Sequence, residues 1–371
     1  MDVICKKDDL LKILSISINA VSERTTIEAL KCFKLEAIDN KLFITSNNLE
    51  TNIIGSLNAK VNNNGKTLVH AKTFLNIVSK LPKGDVSLYL SDNNSILITS
   101  GNSTFNIFIS NIDEFPEDMT LNNSREVVIN RNIFKDMMKR VSFSASDEEE
   151  KVILNGVLFN LNKEKNKLIF VAADGYRLAK DEIKFKTDED INTIIPIKTI
   201  KEVGNITTVI EKDEIIIKID DDKVLFLLDE ISLYSRVING KFPDYNLLLP
   251  KEVNLSININ RKEFLDACER INIIAQRNSF MVKIELIESY LVISSVTPDF
   301  GDGSEKIKVV SEGEDINVVF NVRLMMDVLK NIESEQIRIE IINDEKPISI
   351  KEENNSDYIY IMMPIKVKRD K

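Results

Sequence analysis

Three times along this chain, at intervals of roughly 125 residues, a β-prone run passes straight into an amphipathic helix. The copies read VICKKDDLLKILSIS from Val3, VVINRNIFKDMMKRVSF from Val127 and ININRKEFLDACERIN from Ile257. Alternating strand patterns follow each one, in LKCFKLEAIDNKLFITSNN, LNGVLFNLNKEKNKLIFVAADG and MVKIELIESYLVISSVT. A second short helix comes next, in HAKTFLNIVSKLP, PIKTIKEVGN and NVRLMMDVLKNI, and further hairpins close each unit. So long a period excludes a solenoid of 20–50-residue repeats and points to three homologous domains, residues 1–125, 126–253 and 254–371. Each is expected to pack two helices on antiparallel strands, an α+β arrangement.

The middle copy shows what the phrase encodes. Val127, Val128 and Ile129 are β-prone, and Asn130 is a good N-cap whose side chain can satisfy amides at the helix start. Ile133, Phe134, Met137, Met138 and Val141 fall on one side at helical spacing, while Arg131, Lys135 and Lys139 recur every fourth residue on the other. One face seeks a core and the other presents positive charge.

Composition narrows the function. The 371 residues are 43% hydrophobic, enough for real cores, and no apolar run approaches the roughly 18 residues of a membrane span. MDVICKKDDL does not read as a signal peptide, so a cytoplasmic protein without a membrane partner is expected. Cys5, Cys32 and Cys268 are too scattered for a disulfide framework or a zinc site and read as small buried hydrophobes. His70 is the only histidine and has no nucleophile nearby. Asp220, Asp221 and Asp222 lie between two apolar runs, where a hairpin turn is expected rather than a metal site. The net charge of −10 argues against a nucleic-acid partner, but the predicted helices together are net positive. A chain that is basic where its helices gather and acidic elsewhere can hold DNA on one surface and repel it from the others.

Four segments carry a family resemblance: FVAADGYRLA (residues 170–179), GKFPDYNLLLP (240–250), Phe320-Asn321-Val322 followed by Asp327-Val328-Leu329, and YIYIMMPIK (358–366). Their order and sequence resemble the bacterial β sliding clamp, the processivity subunit of DNA polymerase III. With the threefold repeat, the resemblance covers essentially the whole chain. It implies three tandem clamp domains in a ring-forming head-to-tail homodimer around duplex DNA, without cofactor or catalysis of its own. Replicative polymerase, clamp loader and other proteins with clamp-binding motifs would be its partners. Ring geometry agrees with a dimer. Six helices side by side at roughly 10 Å trace about 60 Å and leave a hole of only about 9 Å; twelve leave about 28 Å, enough for a duplex roughly 20 Å wide.

Arg24 and Lys198 match DNA-facing positions of the family, and Lys80, Arg131, Lys135 and Lys139 join them from the basic helix faces. Contacts of this kind are salt-dependent and read no base sequence. At the dimer joint the resemblance places Phe105 and Ile107 opposite Ile273 and Ile274. It also implies a groove between the second and third domains that takes short apolar-aromatic peptides. Leu154, Leu178, Pro243, Leu248, Leu324 and Ile348 would supply its floor, together with Ile361, Met363, Pro364 and Ile365. Gly175 would allow close backbone approach, and Tyr176, Arg177 and Asn321 would be polar anchors at the rim. Tyr176 stands where the family often has histidine, Leu247 where an arginine is common, and the tail VKRDK runs past the usual end. Two other readings are a carboxylate-metal DNA-processing enzyme, which needs converging acids, and a DNA-free repeat scaffold, which would lack a basic lining.

Overall fold

The computed structural model describes residues 1–91, 93–353 and 355–366, so the tail Val367–Lys371 lies outside the described residues. The first repeat runs β1 (Asp2–Lys6), α1 (Lys7–Ser17), β2 (Cys32–Ile38), β3 (Lys41–Asn47), β4 (Thr51–Asn63), β5 (Gly65–His70), α2 (Ala71–Lys80), β6 (Asp85–Ser91), β7 (Ser95–Ser100) and β8 (Ser103–Ser110). The second repeats that order as β9 (Arg125–Asn130), α3 (Arg131–Ser142), β10 (Gly156–Asn162), β11 (Lys167–Ala173), β12 (Arg177–Lys184), β13 (Ile191–Pro196), α4 (Ile197–Thr207), β14 (Glu214–Ile219), β15 (Lys223–Leu228) and β16 (Ile231–Arg236). The third has β17 (Leu255–Asn260), α5 (Arg261–Ala275), β18 (Met281–Ile287), β19 (Tyr290–Thr297), β20 (Gly301–Lys308), β21 (Val310–Gly313), β22 (Asn317–Asn321), α6 (Val322–Asn331), β23 (Gln336–Ile341), β24 (Ile348–Glu352) and β25 (Asn355–Met362). It departs from the others only where its fourth strand is broken in two.

The recurring phrase folds the same way each time because its apolar positions coincide. Leu10, Phe134 and Phe264 occupy one place in the three copies, and all are fully buried. Asn130 caps α3, its Oδ1 accepting from the N–H of Asn132 at 2.9 Å and of Ile133 at 3.3 Å. Asn260 caps α5 through the Glu263 N–H at 3.0 Å. Met137, Met138 and Val141 are buried as the helical spacing predicts, but Ile133 is 44% exposed and lies outside the apolar stripe.

A second threefold feature sits at the first residue of each of these helices. The backbone N–H of Lys7 donates to Gly84 O, that of Arg131 to Asp213 O and that of Arg261 to Glu335 O. Their side chains reach carbonyls at or just beyond the end of the second helix of the same repeat: Lys7 to Ser79 and Leu81, Arg131 to Ile210, Arg261 to Leu329 and Ser334. A cation there satisfies carbonyls that have no partner within the helix and lies at the negative end of its dipole.

The chain packs as two compact units, residues 1–134 with 198–237 and residues 135–197 with 238–371. The first holds a twelve-stranded sheet, β1-β6-β7-β8-β5-β2-β3-β4-β16-β15-β14-β9. The second holds a nine-stranded sheet, β13-β10-β11-β12-β25-β24-β23-β17-β21, and a four-stranded one, β20-β19-β18-β22. The middle repeat therefore gives strands to both.

One pairing rule joins the repeats. The fourth strand of a repeat pairs with the last strand of the next. In the first unit β4 pairs with β16, with Asn52 opposite Tyr234 and Gly55 opposite Ile231. In the second unit β12 pairs with β25, with Leu178 opposite Ile361 and Lys180 opposite Ile359. We call these the first and second seams. The fourth strand of the third repeat, β20, pairs among the described residues only with β19, which leaves its other edge open. The last strand of the first repeat, β8, pairs with β7 along its length and meets β5 at Ile109 and Ser110.

Candidate functional site

On the second seam the turn from β11 to β12 closes around Asp174, whose Oδ1 accepts the N–H groups of Tyr176 at 2.8 Å and Arg177 at 2.9 Å. Gly175 at the turn has φ +97°, a conformation that disfavours a side chain although only Lys151 Nζ, 3.8 Å from where a Cβ would lie, is near. Met363, just past β25, donates its N–H to Tyr176 O at 2.8 Å and continues the ladder along the turn. Small and apolar side chains at this end of the seam leave a pocket of about 90 Å³. Gly175, Tyr176, Arg177, Leu178, Leu248, Ile361 and Met363 line it together with Ala173, Pro347 and Met362.

Its floor is fixed by the core below. Leu178 and Ile361 are each 2% exposed and belong to one cluster with Leu158, Ile169, Val171, Ile194 and Phe242, against which the half-buried Leu154 packs. Its rim is open, with Tyr176, Leu248 and Met363 exposed by 61%, 46% and 40%. Lys151 Nζ lies 5.1 Å from the Tyr176 ring centre and is held by Glu148 at 2.7 Å and by Asp174 O at 3.0 Å.

Several residues expected at this groove do other work. Arg177 lines the pocket and is also a half-buried clamp: its Nε meets Asp174 at 2.9 Å, its Nη1 meets Asp327 of α6 at 2.6 Å, and its guanidinium covers Phe143. Asn321 caps α6, its Oδ1 accepting from the Arg323 N–H at 2.9 Å. Ile348 is fully buried opposite Met362, beneath the floor. Leu324 is half-buried and accepts Tyr360 O–H on its carbonyl at 3.0 Å. Pro364 is buried, while Ile365 borders a separate cleft of about 690 Å³ with Lys283, Asn317 and Val319. Pro243 lines another of about 270 Å³ with Phe242 and Tyr245. Of the lining residues that sequence reasoning missed, Ala173 lies inside the FVAADGYRLA motif and Met362 precedes Met363, so adjacency could have found both. Pro347 lies in a loop with no local signal.

The six candidate DNA-facing cations divide. Arg24, Lys80, Lys135 and Lys198 are exposed and have no ion-pair partner among the described residues. Lys139 is exposed but paired with Glu333 at 2.7 Å, which also holds the Glu333 carboxyl below its ordinary range. Arg131 is engaged at Ile210 O and with Asp213 at 3.4 Å, so the carbonyls it caps remove it from the open basic face. Aligning the three repeats could have found this, because Lys7, Arg131 and Arg261 coincide.

The candidate joint residues are accessible. Phe105 and Ile273 are 41% and 58% exposed, Ile107 and Ile274 are half-buried, and Phe108 beside them on β8 is 83% exposed. Ile274 lies under β20, where a Cβ added to Gly303 would sit 3.5 Å from its Cγ1. The Asp220 carboxyl caps its hairpin turn. Burial would raise its pKa, but the N–H groups of Asn122, Asp222 and Lys223 outweigh this and lower it.

Comparison with known proteins accounts for this arrangement along the whole chain. Models of the N-terminal, central and C-terminal domains of the DNA polymerase III beta subunit match residues 1–120, 128–244 and 246–366 in order. A beta sliding clamp of Staphylococcus epidermidis is 27% identical over 377 aligned positions, covering 99% of both chains. The DNA polymerase III beta subunit of Thermotoga maritima superimposes with a TM-score of 0.93 at 29% identity, again over 99% of each chain. The DNA polymerase sliding clamp of Bacillus subtilis does so with 0.93 at 26% identity over 99% of each. With its repeats, both seams and all three domains thus accounted for, the chain belongs to the family of the bacterial DNA polymerase III beta subunit.

Proposed function

We propose that two copies of this protein close head to tail into a ring around duplex DNA, where it serves as the sliding clamp that tethers the replicative polymerase. It is an accessory subunit of the polymerase without catalysis of its own. The observation that carries the ring is the pairing rule of the repeats. β4 takes β16, β12 takes β25, and β20 is left with an open edge. The strand that would complete the series is β8, so β20 of one copy takes β8 of another and two chains close a cycle of six repeats. Phe105, Ile107 and Phe108 then meet Ile273 and Ile274 of the second copy, covering apolar surface that a lone chain leaves in water.

Lys80, Lys135, Lys198 and Arg24 hold the duplex through water and mobile ions, with Lys139 contributing less because Glu333 already neutralises it. The pocket on the second seam receives the short apolar-aromatic segment by which polymerase, clamp loader and other partners dock. No helix among the described residues is long and apolar enough to cross a membrane, and we place the protein in the cytoplasm with the chromosome it serves.

Retention on DNA tests the reading. The protein, loaded onto nicked circular DNA, is expected to remain bound in salt that releases it from linear DNA of the same length. Equal loss from both forms would remove the ring. Lys135→Glu combined with Lys198→Glu is expected to shorten retention at low salt while leaving the dimer intact.

A further inference from the structure

The two seams inside the chain dictate the register of a third. In each, the residue before the fourth strand accepts one more backbone hydrogen bond from the end of the last strand: Glu50 O from the Arg236 N–H at 3.0 Å, and Tyr176 O from the Met363 N–H at 2.8 Å. Each acceptor follows a left-handed residue, Leu49 at φ +73° and Gly175 at φ +97°. The third repeat carries the same mark before β20, with Asp299 at φ +60° and then Phe300. On β8 the matching donor is Phe108. Val237, next after Arg236, donates to Asp222 O at 2.9 Å, and Ile109, next after Phe108, donates to Asn94 O at 3.2 Å. Because Ile109 faces β7, the alternation of a strand turns the backbone groups of Phe108, Asn106 and Thr104 to the open edge. Carried over, the pairing sets Phe108 opposite Phe300, Asn106 opposite Asp302, Phe105 opposite Gly303 and Thr104 opposite Ser304.

Side-chain sizes agree with that register. At the place of the Gly303–Phe105 pair the first seam has Ile53 opposite Leu233 and the second has Ala179 opposite Tyr360, all four buried. As the residue on the fourth strand shrinks, the one facing it grows, which keeps the volume between the sheets filled. Glycine against phenylalanine is the end of that series. Gly303 has no left-handed φ, so the backbone does not demand glycine there. Its missing side chain instead bares Ile271 and Ile274 of α5, both 3.5 Å from where a Cβ would lie. An aromatic ring from a facing strand can cover such a glycine. Phe105 and Phe108 are 41% and 83% exposed in the lone chain, and Phe300 is 54% exposed.

The charges at this edge are spent at home. β8 carries no charged side chain. On β20, Glu305 is held by Arg270 of its own chain, with Nη2 at 2.8 Å, and the Arg277 guanidinium lies over the Phe300 ring, 5.3 Å from its centre.

We propose that the joint between copies repeats the seam register, so that Phe105 of one copy fills the space over Gly303 of the other, Phe108 packs on Phe300, and the two strands close without an ion pair between them. This rests on the ring reading above and adds to it the register and the chemistry of the closure. Cross-strand aromatic pairs of this kind add to the apolar area they bury.

Disulfide trapping in the full chain reads the register. Directly opposite residues of a hydrogen-bonded pair have Cα atoms about 5.5 Å apart, within the roughly 4.4–6.8 Å that a disulfide spans, while diagonal neighbours lie roughly 7–8 Å apart. Thr104→Cys combined with Ser304→Cys, at two exposed positions, is expected to give covalent dimer on mild oxidation. Thr104→Cys combined with Lys306→Cys, two residues off, is expected to give none. Cys5, Cys32 and Cys268 are buried and add little background. Bridging by the shifted pair, or by neither pair while the dimer persists, would overturn the register and leave the ring standing. A monomer in sedimentation equilibrium would remove both. Phe108→Ala and Phe300→Ala test the aromatic pair: each should weaken the dimer about tenfold, and the two together little more than either alone. Losses that multiply to about a hundredfold would show that the rings do not touch and sink the pairing. Raising salt from about 50 to about 500 mM should move the dimer constant less than about threefold, and a tenfold loosening would overturn closure without ion pairs.

Discussion

The two seams share a backbone and differ in what grows from it. At the first, the turn from β3 to β4 closes on Asn48, whose Oδ1 accepts the N–H groups of Glu50 at 3.1 Å and Thr51 at 2.7 Å, as Asp174 does at the second. Leu49 takes the left-handed position of Gly175, with φ +73°. Where the second seam has Ala173, Leu178 and Ile361 as a floor, the first has Asn47, Asn52 and Tyr234. Where the second has Met363, the first has Arg236, whose backbone N–H donates to Glu50 O at 3.0 Å and whose Nε closes on Leu49 O at 3.1 Å. One seam is sealed by amides and an arginine; the other is left apolar and open. A docking pocket therefore needs no special architecture here, only small and apolar residues at a handful of positions in a joint the fold makes anyway.

That contrast can be broken by exchanging residues. Leu178→Asn puts the first seam's residue into the second, burying an amide where Leu178 meets Ile361. It is expected to cost about 2–4 kcal/mol of stability and to abolish binding of an apolar-aromatic partner peptide. Denaturant unfolding and fluorescence anisotropy would show both losses, and retained peptide affinity would mean the floor lies elsewhere. The third seam, between copies, is tested by Phe108→Asp, which sets a charge on the open edge of β8. The dimer should weaken by about 2 kcal/mol, some thirtyfold, in sedimentation equilibrium, while the folding of the single chain is unchanged. Met363→Arg copies Arg236 and should have the smallest effect. Because Met363 is well exposed, stability holds, and peptide affinity falls about tenfold, or about 1.4 kcal/mol.

What the sequence disclosed and what it concealed divide along the same physical line. Periodicity and capping are local, so the six helices of the described residues lie close to where the Asn130 cap and the apolar spacing put them. The motif around Gly175 was legible as a family resemblance, and the structure adds that a turn with φ above zero and an Asp174 cap are made there by adjacent residues. Pairing between repeats is not local. Nothing in FVAADGYRLA says that Leu178 will face Ile361 on a strand 183 positions later. For the same reason Ile365 and Pro243, placed at the groove by the family resemblance, border other clefts. Arg131 misled differently: helical spacing placed it with Lys135 and Lys139, but a residue at the first position of a helix can also reach a neighbouring helix end, and those carbonyls claim it.

The pocket is bounded by strands from two repeats, Arg177–Lys184 of the middle one and Asn355–Met362 of the last. A ligand that fits it meets both strands at once, so a severed C-terminal repeat would lack half of the site even if perfectly folded. Occupancy must also act backwards on the protein: whatever binds there fastens its two halves of the site together, adding about 2.7 kcal/mol at a ligand concentration one hundred times the Kd. Any partner seated in this pocket is, by that arithmetic, also its splint.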